Sequence, residues 1–179
     1  AMNVTRLIDA LGLQGKRIAL ERNGDLVRLA SYAPLLANQK HTQWRPDLIF
    51  FDNKRILLTP NYYVQQMFMQ NSGDVYWPTT VAAATNIAAS CVQDTKSGDV
   101  ILKLANNSTN AAKAKVQLSA IGNLKPEAVR IILSGESNEN NSFEKPDLIV
   151  PKTNSMALSD TFECDLPPTS FNVIRFQTK

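Results

Sequence analysis

The chain has 179 residues, 44% of them apolar and 20% charged, which is the composition of an ordinary globular chain and not of a disordered one. Its formal charge of +3 is spread as single Lys and Arg residues among nearly as many acids, so the basic stripe that nucleic acid requires is missing and no nucleic-acid partner is expected. No run approaches the ~20 apolar residues that span a bilayer, and no leader with an apolar core and cleavage site directs export, so no membrane partner is expected either.

Asn3 or Thr5 is placed to cap a first helix, with Leu7, Ile8, Leu11 and Ile18 at helical spacing. Gly12 and Gly15 weaken that helix without ending it. Asn23 and Gly24 read as a stop, after which Asp25 opens a second helix where its carboxylate suits the positive end of the dipole. Leu26, Leu29, Ala30, Ala33 and Leu36 would form its buried face, and Pro34 should kink its last turns. In "WRPDLIFFDN" the apolar run Leu48 to Phe51 fits a strand buried on both faces, as in a parallel sheet. Thr59 then caps a third helix, with Pro60 at its first position and Gly73 past its end. Tyr63, Val64, Met67 and Phe68 share one face of it. Helix, buried strand, helix is the order of an α/β unit.

After Pro78 the pattern changes, and a boundary falls near Pro78 to Val81, dividing residues 1–78 from 79–179. "TNIAASCVQDTKSGDVILKLANNS" reads as two strands joined by a turn on Asp94, Ser97 and Gly98. "AKVQLSAI", "EAVRIILSG", "TFECDL" and "SFNVIRF" are further strands, separated by connectors such as "GESNENNSFEKPD". The fold class is therefore mainly β, an antiparallel β-sandwich of the jelly-roll kind preceded by an α-helical and βα segment.

Few residues carry recognisable chemistry. His41, the single histidine, sits in a polar loop, and no "GxSxG" elbow accompanies it. There is no "GxGxxG", no P-loop and no metal-ligand spacing, so neither a cofactor nor a metal is expected. Cys91 and Cys164 read as buried free thiols on strands, although their even count leaves a disulfide open. Asp47 and Asp52 flank the buried strand, and Asp52 with Asn53 lies at its C-terminal end, where substrate groups converge in an α/β barrel. Trp44, Tyr62, Tyr63, Tyr76 and Trp77 crowd the α/β part, which leaves the sandwich without the exposed Trp or Tyr platform of a free-standing sugar-binding module.

"LERNGDLVRLASYAPLLAN", "WRPDLIFFDN" and "TPNYYVQQMF" closely resemble the late part of the α-L-arabinofuranosidases of glycoside hydrolase family 51. "SGDVILKLANNS", "NSFEKPDLIVP" and "LPPTSFNVIRF" resemble that family's C-terminal sandwich, and the motifs run in order from about residue 16 to the end. The resemblance implies that residues 1–78 are left over from a (β/α)8 barrel. The helix before "SYAPL" is similar to its seventh helix, "DLIFF" to its eighth strand and "NYYVQQMF" to its eighth helix, whereas the first fifteen residues depart from the pattern.

The family retains configuration by means of two glutamates at the ends of earlier barrel strands, so the resemblance assigns no catalytic residue to this chain, Glu21 included. It implies a secondary substrate contact at Asp47, Asp52 and Asn53. It further implies hydrolysis of terminal α-L-arabinofuranosyl groups, without a cofactor, from an arabinose-containing polysaccharide or oligosaccharide held by the barrel. A periplasmic or extracellular setting goes with that substrate. The competing reading is an independent carbohydrate-binding or protein-interaction module. In either case the helical faces should pack on the sandwich or be covered by a second copy as a homo-oligomer.

Overall fold

The computed structural model describes residues 17–44, 46–82, 86–118 and 121–179. The first helix is seen only in residues 17–22, so its expected caps Asn3 and Thr5 and its apolar Leu7, Ile8 and Leu11 lie outside the described residues. Ile18 is buried as expected. Asn23 ends the helix, its Nδ2 donating to Ala19 O at 2.7 Å.

The second helix does not form. Its predicted stretch makes a turn over residues 23–26 and then runs irregularly, and Leu26 and Leu29 are 78% and 88% exposed. Pro34 supplies no amide hydrogen and disfavours helical backbone at Ala33, so the chain after it extends. The result is strand β1 (Leu36–Asn38). It pairs in parallel with β2 (Ile49–Phe51), which is joined by a tight hairpin to the antiparallel β3 (Ile56–Leu58). β2 is the middle strand of this small sheet, and only Phe50 is fully buried on it. Carbonyls on the supposed helix instead serve the ladder: Leu48 N donates to Pro34 O at 3.3 Å and Ile49 N to Leu35 O at 3.0 Å.

Helix α1 (Pro60–Gln70) forms where its signals place it. Thr59 caps it, accepting from Tyr62 N at 3.4 Å, and its own hydroxyl donates to Leu48 O at 2.8 Å. Val64, Met67 and Phe68 bury one face of the helix. At its C-terminal end Arg175 Nη1 donates to Gln70 O at 3.2 Å and to Asn71 Oδ1 at 3.3 Å, a cation where the helix dipole favours one. Gly73 follows because a β-carbon there would stand 2.6 Å from Gln93 O.

The rest is β-structure: β4 (Val75–Trp77), β5 (Ile87–Asp94), β6 (Asp99–Asn106), β7 (Ala112–Gln117), β8 (Leu124–Ser134), β9 (Lys152–Ala157), β10 (Thr161–Leu166) and β11 (Ser170–Thr178). Six strands form one antiparallel sheet in the order β4-β5-β6-β11-β8-β9, and β10 pairs with β7 in a second. The turn from β5 to β6 is the expected one, with Asp94 accepting from Lys96 N and Ser97 Oγ, and Gly98 at φ +77°.

β6 and β11 lie in the middle of the large sheet and carry buried apolar side chains on both faces. Leu102, Leu104, Ile174 and Phe176 meet Cys164 and Leu166 of the second sheet, whereas Ile101, Ala105, Phe171 and Val173 meet Ile18 and α1. The Phe68 and Phe171 rings stack at 4.8 Å between centroids. The α1 face therefore folds back on the sandwich as expected, and each fully buried Leu or Phe contributes about 1.5–3 kcal/mol. Both cysteines are buried and free.

The segment between β8 and β9, residues 135–151, is more than a connector. Asn141, fully buried, donates through Nδ2 to Leu58 O and Ile149 O, each at 3.0 Å, and accepts from Ile149 N at 2.8 Å. Phe143 joins Ala37, Phe50 and Leu57 in a separate core on one face of the small sheet.

Candidate functional site

Because β1 and β2 are parallel, their C-terminal ends lie side by side, with Asn38 opposite Phe51 and Gln39 N donating to Phe51 O at 2.8 Å. The turn that follows β2 is organised by Asp52. Its Oδ1 accepts from Lys54 N and Arg55 N, both at 2.8 Å, and its Oδ2 accepts Arg55 Nε at 3.0 Å and Nη2 at 2.7 Å. The amide hydrogen of Lys54, reinforced by the Arg55 guanidinium, holds the Asp52 carboxyl down at about 2. Arg55 in turn lies over the Phe143 ring, 4.7 Å from its centroid. Asn53 is exposed at the tip of the turn.

Asp47 is elsewhere. It sits before β2, buried, with Thr42 Oγ1 donating to it at 3.4 Å. Five residues of extended chain separate the two aspartates by about 16 Å, well beyond the ~5 Å of a retaining carboxylate pair. Asp52 and Asn53 are thus brought together, and Asp47 is at the opposite end of the strand. Arg55 and Phe143 were not singled out by the sequence. The "DNKR" spacing carries a local signal for Arg55, whereas Phe143 is 88 residues further along the chain.

Glu21 is occupied structurally. Its carboxylate receives Lys103 Nζ at 2.5 Å and Ser90 Oγ at 2.5 Å. Lys103 is fully buried, 5.5 Å from the Phe68 ring centroid, and desolvation pulls its ammonium pKa down against the opposing pull of Glu21. His41 lies in an exposed turn after β1. Trp44 is 65% exposed, and Tyr62 and Tyr63 are half-buried edge to face. Among the described residues no group of three or more His, Cys, Asp or Glu side chains is placed to hold a metal.

Among the described residues, the face of the small sheet turned away from Phe143 is left largely open. Leu36, Ile49, Phe51 and Ile56 line a shallow recess of about 490 Å³ beside Asp52 and Arg55, and Leu36 and Ile56 are 59% and 67% exposed. With Leu26, Leu29, Leu35 and Met69 these residues give the N-terminal segment most of the large exposed apolar side chains among the described residues.

A family model described as the α-L-arabinofuranosidase C-terminal domain matches residues 2–170. α-L-Arabinofuranosidase 1 of Arabidopsis thaliana is 30% identical over 87% of this chain and 24% of its own length. An extracellular exo-α-L-arabinofuranosidase of Streptomyces chartreusis is 49% identical over 38% of this chain. An arabinose-bound α-L-arabinofuranosidase of glycoside hydrolase family 51 superposes on 99% of this chain and 28% of its own, with a TM-score of 0.94 at 31% identity. The α-L-arabinofuranosidase of Thermotoga maritima shares the fold, covering 96% of this chain and 38% of its own with a TM-score of 0.77 at 20% identity. The chain thus spans about a quarter of the length of the curated relatives that it matches over most of its own length. With a single family model running through both the small mixed sheet and most of the sandwich behind it, the chain belongs to the α-L-arabinofuranosidase C-terminal domain family.

Proposed function

We propose that this chain is the C-terminal portion of a retaining α-L-arabinofuranosidase that removes terminal α-L-arabinofuranosyl groups from arabinose-containing polysaccharides or oligosaccharides. The residues before β4 finish the barrel, and those from β4 (Val75–Trp77) onward form the sandwich that supports it, because β4 is the edge of the large sheet although it precedes the boundary expected near Pro78. Both catalytic glutamates belong to upstream barrel strands, no cofactor takes part, and the substrate is met outside the cell or in the periplasm.

The observation that carries this reading is the largely open face of the small sheet, with Leu36 and Ile56 exposed, set against a sandwich whose own core is closed. Leaving such apolar surface in water is costly, and the remainder of a barrel is the body whose interior has that character. Within the reading, Asn53 and Asp52 stand at the substrate end of a barrel strand. Asp47, at the other end of β2, acts on the sugar only through the strand that it anchors.

The purified chain should release no chromophore above background from a chromogenic α-L-arabinofuranoside, even at high protein concentration. Saturable turnover would overturn the assignment of the catalytic groups to upstream sequence and make Glu21, Asp47 and Asp52 the first positions to mutate.

A further inference from the structure

The turn after β2 is held from outside its own sheet. Its carboxylate brace, Asp52, is completed by Arg55, and the guanidinium of Arg55 is seated on Phe143 of the segment joining β8 and β9. That segment is itself fixed to β3, because Asn141 donates to Leu58 O and is locked in the same sandwich segment through Ile149. Phe143 also closes the core over Phe50 and Leu57, on the opposite face from the open recess. A ring under a guanidinium restricts the plane in which the fork meets its carboxylate, so Phe143 limits how the Asp52–Arg55 turn can move.

We propose that Phe143 of the sandwich is a positioning residue for the hairpin tip at Asp52 and Asn53. It acts through Arg55 to hold that tip in one conformation against an arabinose-containing oligosaccharide. This rests on the reading of β2 as a barrel strand whose C-terminal end faces substrate. The sandwich then shapes a part of the sugar site that its own strands do not reach. The chemistry asked of the tip is that of a sugar contact: an exposed carboxamide at Asn53 able to donate to and accept from hydroxyl groups, on a turn too short to adjust by itself.

The test uses the intact enzyme that carries this chain, with Phe143→Ala, Phe143→Tyr, Arg55→Lys and, as a control for stability alone, Leu166→Ala between the two sandwich sheets. Turnover of a chromogenic α-L-arabinofuranoside by the unaltered enzyme checks the underlying reading, and its absence would overturn both. With turnover present, Phe143→Ala should raise KM for an arabino-oligosaccharide about three- to tenfold while kcat changes less. Phe143→Tyr should restore it. Arg55→Lys, which keeps the charge and loses the planar fork, should move KM in the same direction and serves if the alanine variant does not fold. Leu166→Ala should lower the melting temperature and leave KM unchanged. An unchanged KM in Phe143→Ala and Arg55→Lys beside an active parent would reduce Phe143 to a packing residue and overturn the proposal.

Discussion

Lys103, fully buried on β6, places its Nζ 2.5 Å from the carboxylate of Glu21, which arrives from the helical residues 17–22. This pair joins the N-terminal segment to the middle of the large sheet. Removing one partner leaves the other charge uncompensated in a dry setting, so Glu21→Ala should cost about 3–5 kcal/mol. The double replacement Glu21→Leu with Lys103→Met should recover most of that loss. Urea unfolding of the three proteins checks this, and a double variant as weak as the single one would refute it.

Asp52 gives the hairpin a pH dependence. Its carboxyl is held at about 2 in the fold against an ordinary value of 3.8, so the unfolded chain binds its proton first as pH falls. The contribution of this group is whole above about pH 4 and is lost as pH drops toward 2. Arg55 is half-exposed, so the effect on global stability is small and salt-sensitive. Protection of the Lys54 and Arg55 amides from exchange, taken relative to the intrinsic rate at each pH, should fall over that window at low salt and less so at high salt.

Asn141→Ala removes three hydrogen bonds and leaves the Leu58 and Ile149 carbonyls and the Ile149 amide without that partner. A loss of about 2–4 kcal/mol is expected from the buried groups left unmet. Asn141→Asp should be no better, because it sets a carboxylate against two carbonyl oxygens. Thermal melts of both variants decide the point.

The uncovered leucines predict behaviour of the isolated chain in solution. Sedimentation over a wide concentration range should show self-association, weakened by Leu26→Lys with Leu29→Lys. Because both side chains already face water, each change should alter stability by less than about 0.5 kcal/mol. A strictly monomeric chain would remove the second-copy interpretation.

Burial pushes the Cys91 thiol up to about 12 and that of Cys164 above its usual range. Native protein should therefore react slowly with a thiol reagent at neutral pH, and both thiols should titrate at once in denaturant. A disulfide would show as no titration before reduction.

Local chemistry was the part of the fold readable in the chain. The Thr59 cap with Pro60, the Asp94 to Gly98 turn and the alternation in "TFECDL" each act within a few residues, and all three form as expected. The failure at Leu26 to Leu36 has the opposite origin. Helical spacing there predicts a core-facing stripe, but Pro34 and the pairing of β1 with β2 decide the backbone. β9, with the sequence "KTNSMA", carries no apolar alternation because it is an exposed edge strand held by its ladder to β8. At the candidate site the adjacency of Asp52 and Asn53 was legible. The reach of Phe143 to Arg55 was not, since no local pattern records a contact across so many residues.

The strand order has a consequence for how the molecule is made. β11 is the latest strand of the large sheet in sequence and lies between β6 and β8 in space. As the chain emerges from the ribosome, the β4-β5-β6 and β8-β9 ladders can form separately, but no backbone bond joins them until residues 170–178 have appeared. Throughout that interval each half offers an open edge to neighbouring nascent chains. A premature stop shortly before Ser170 would yield two unjoined half-sheets, and cellular quality control would meet the product as an aggregation-prone species.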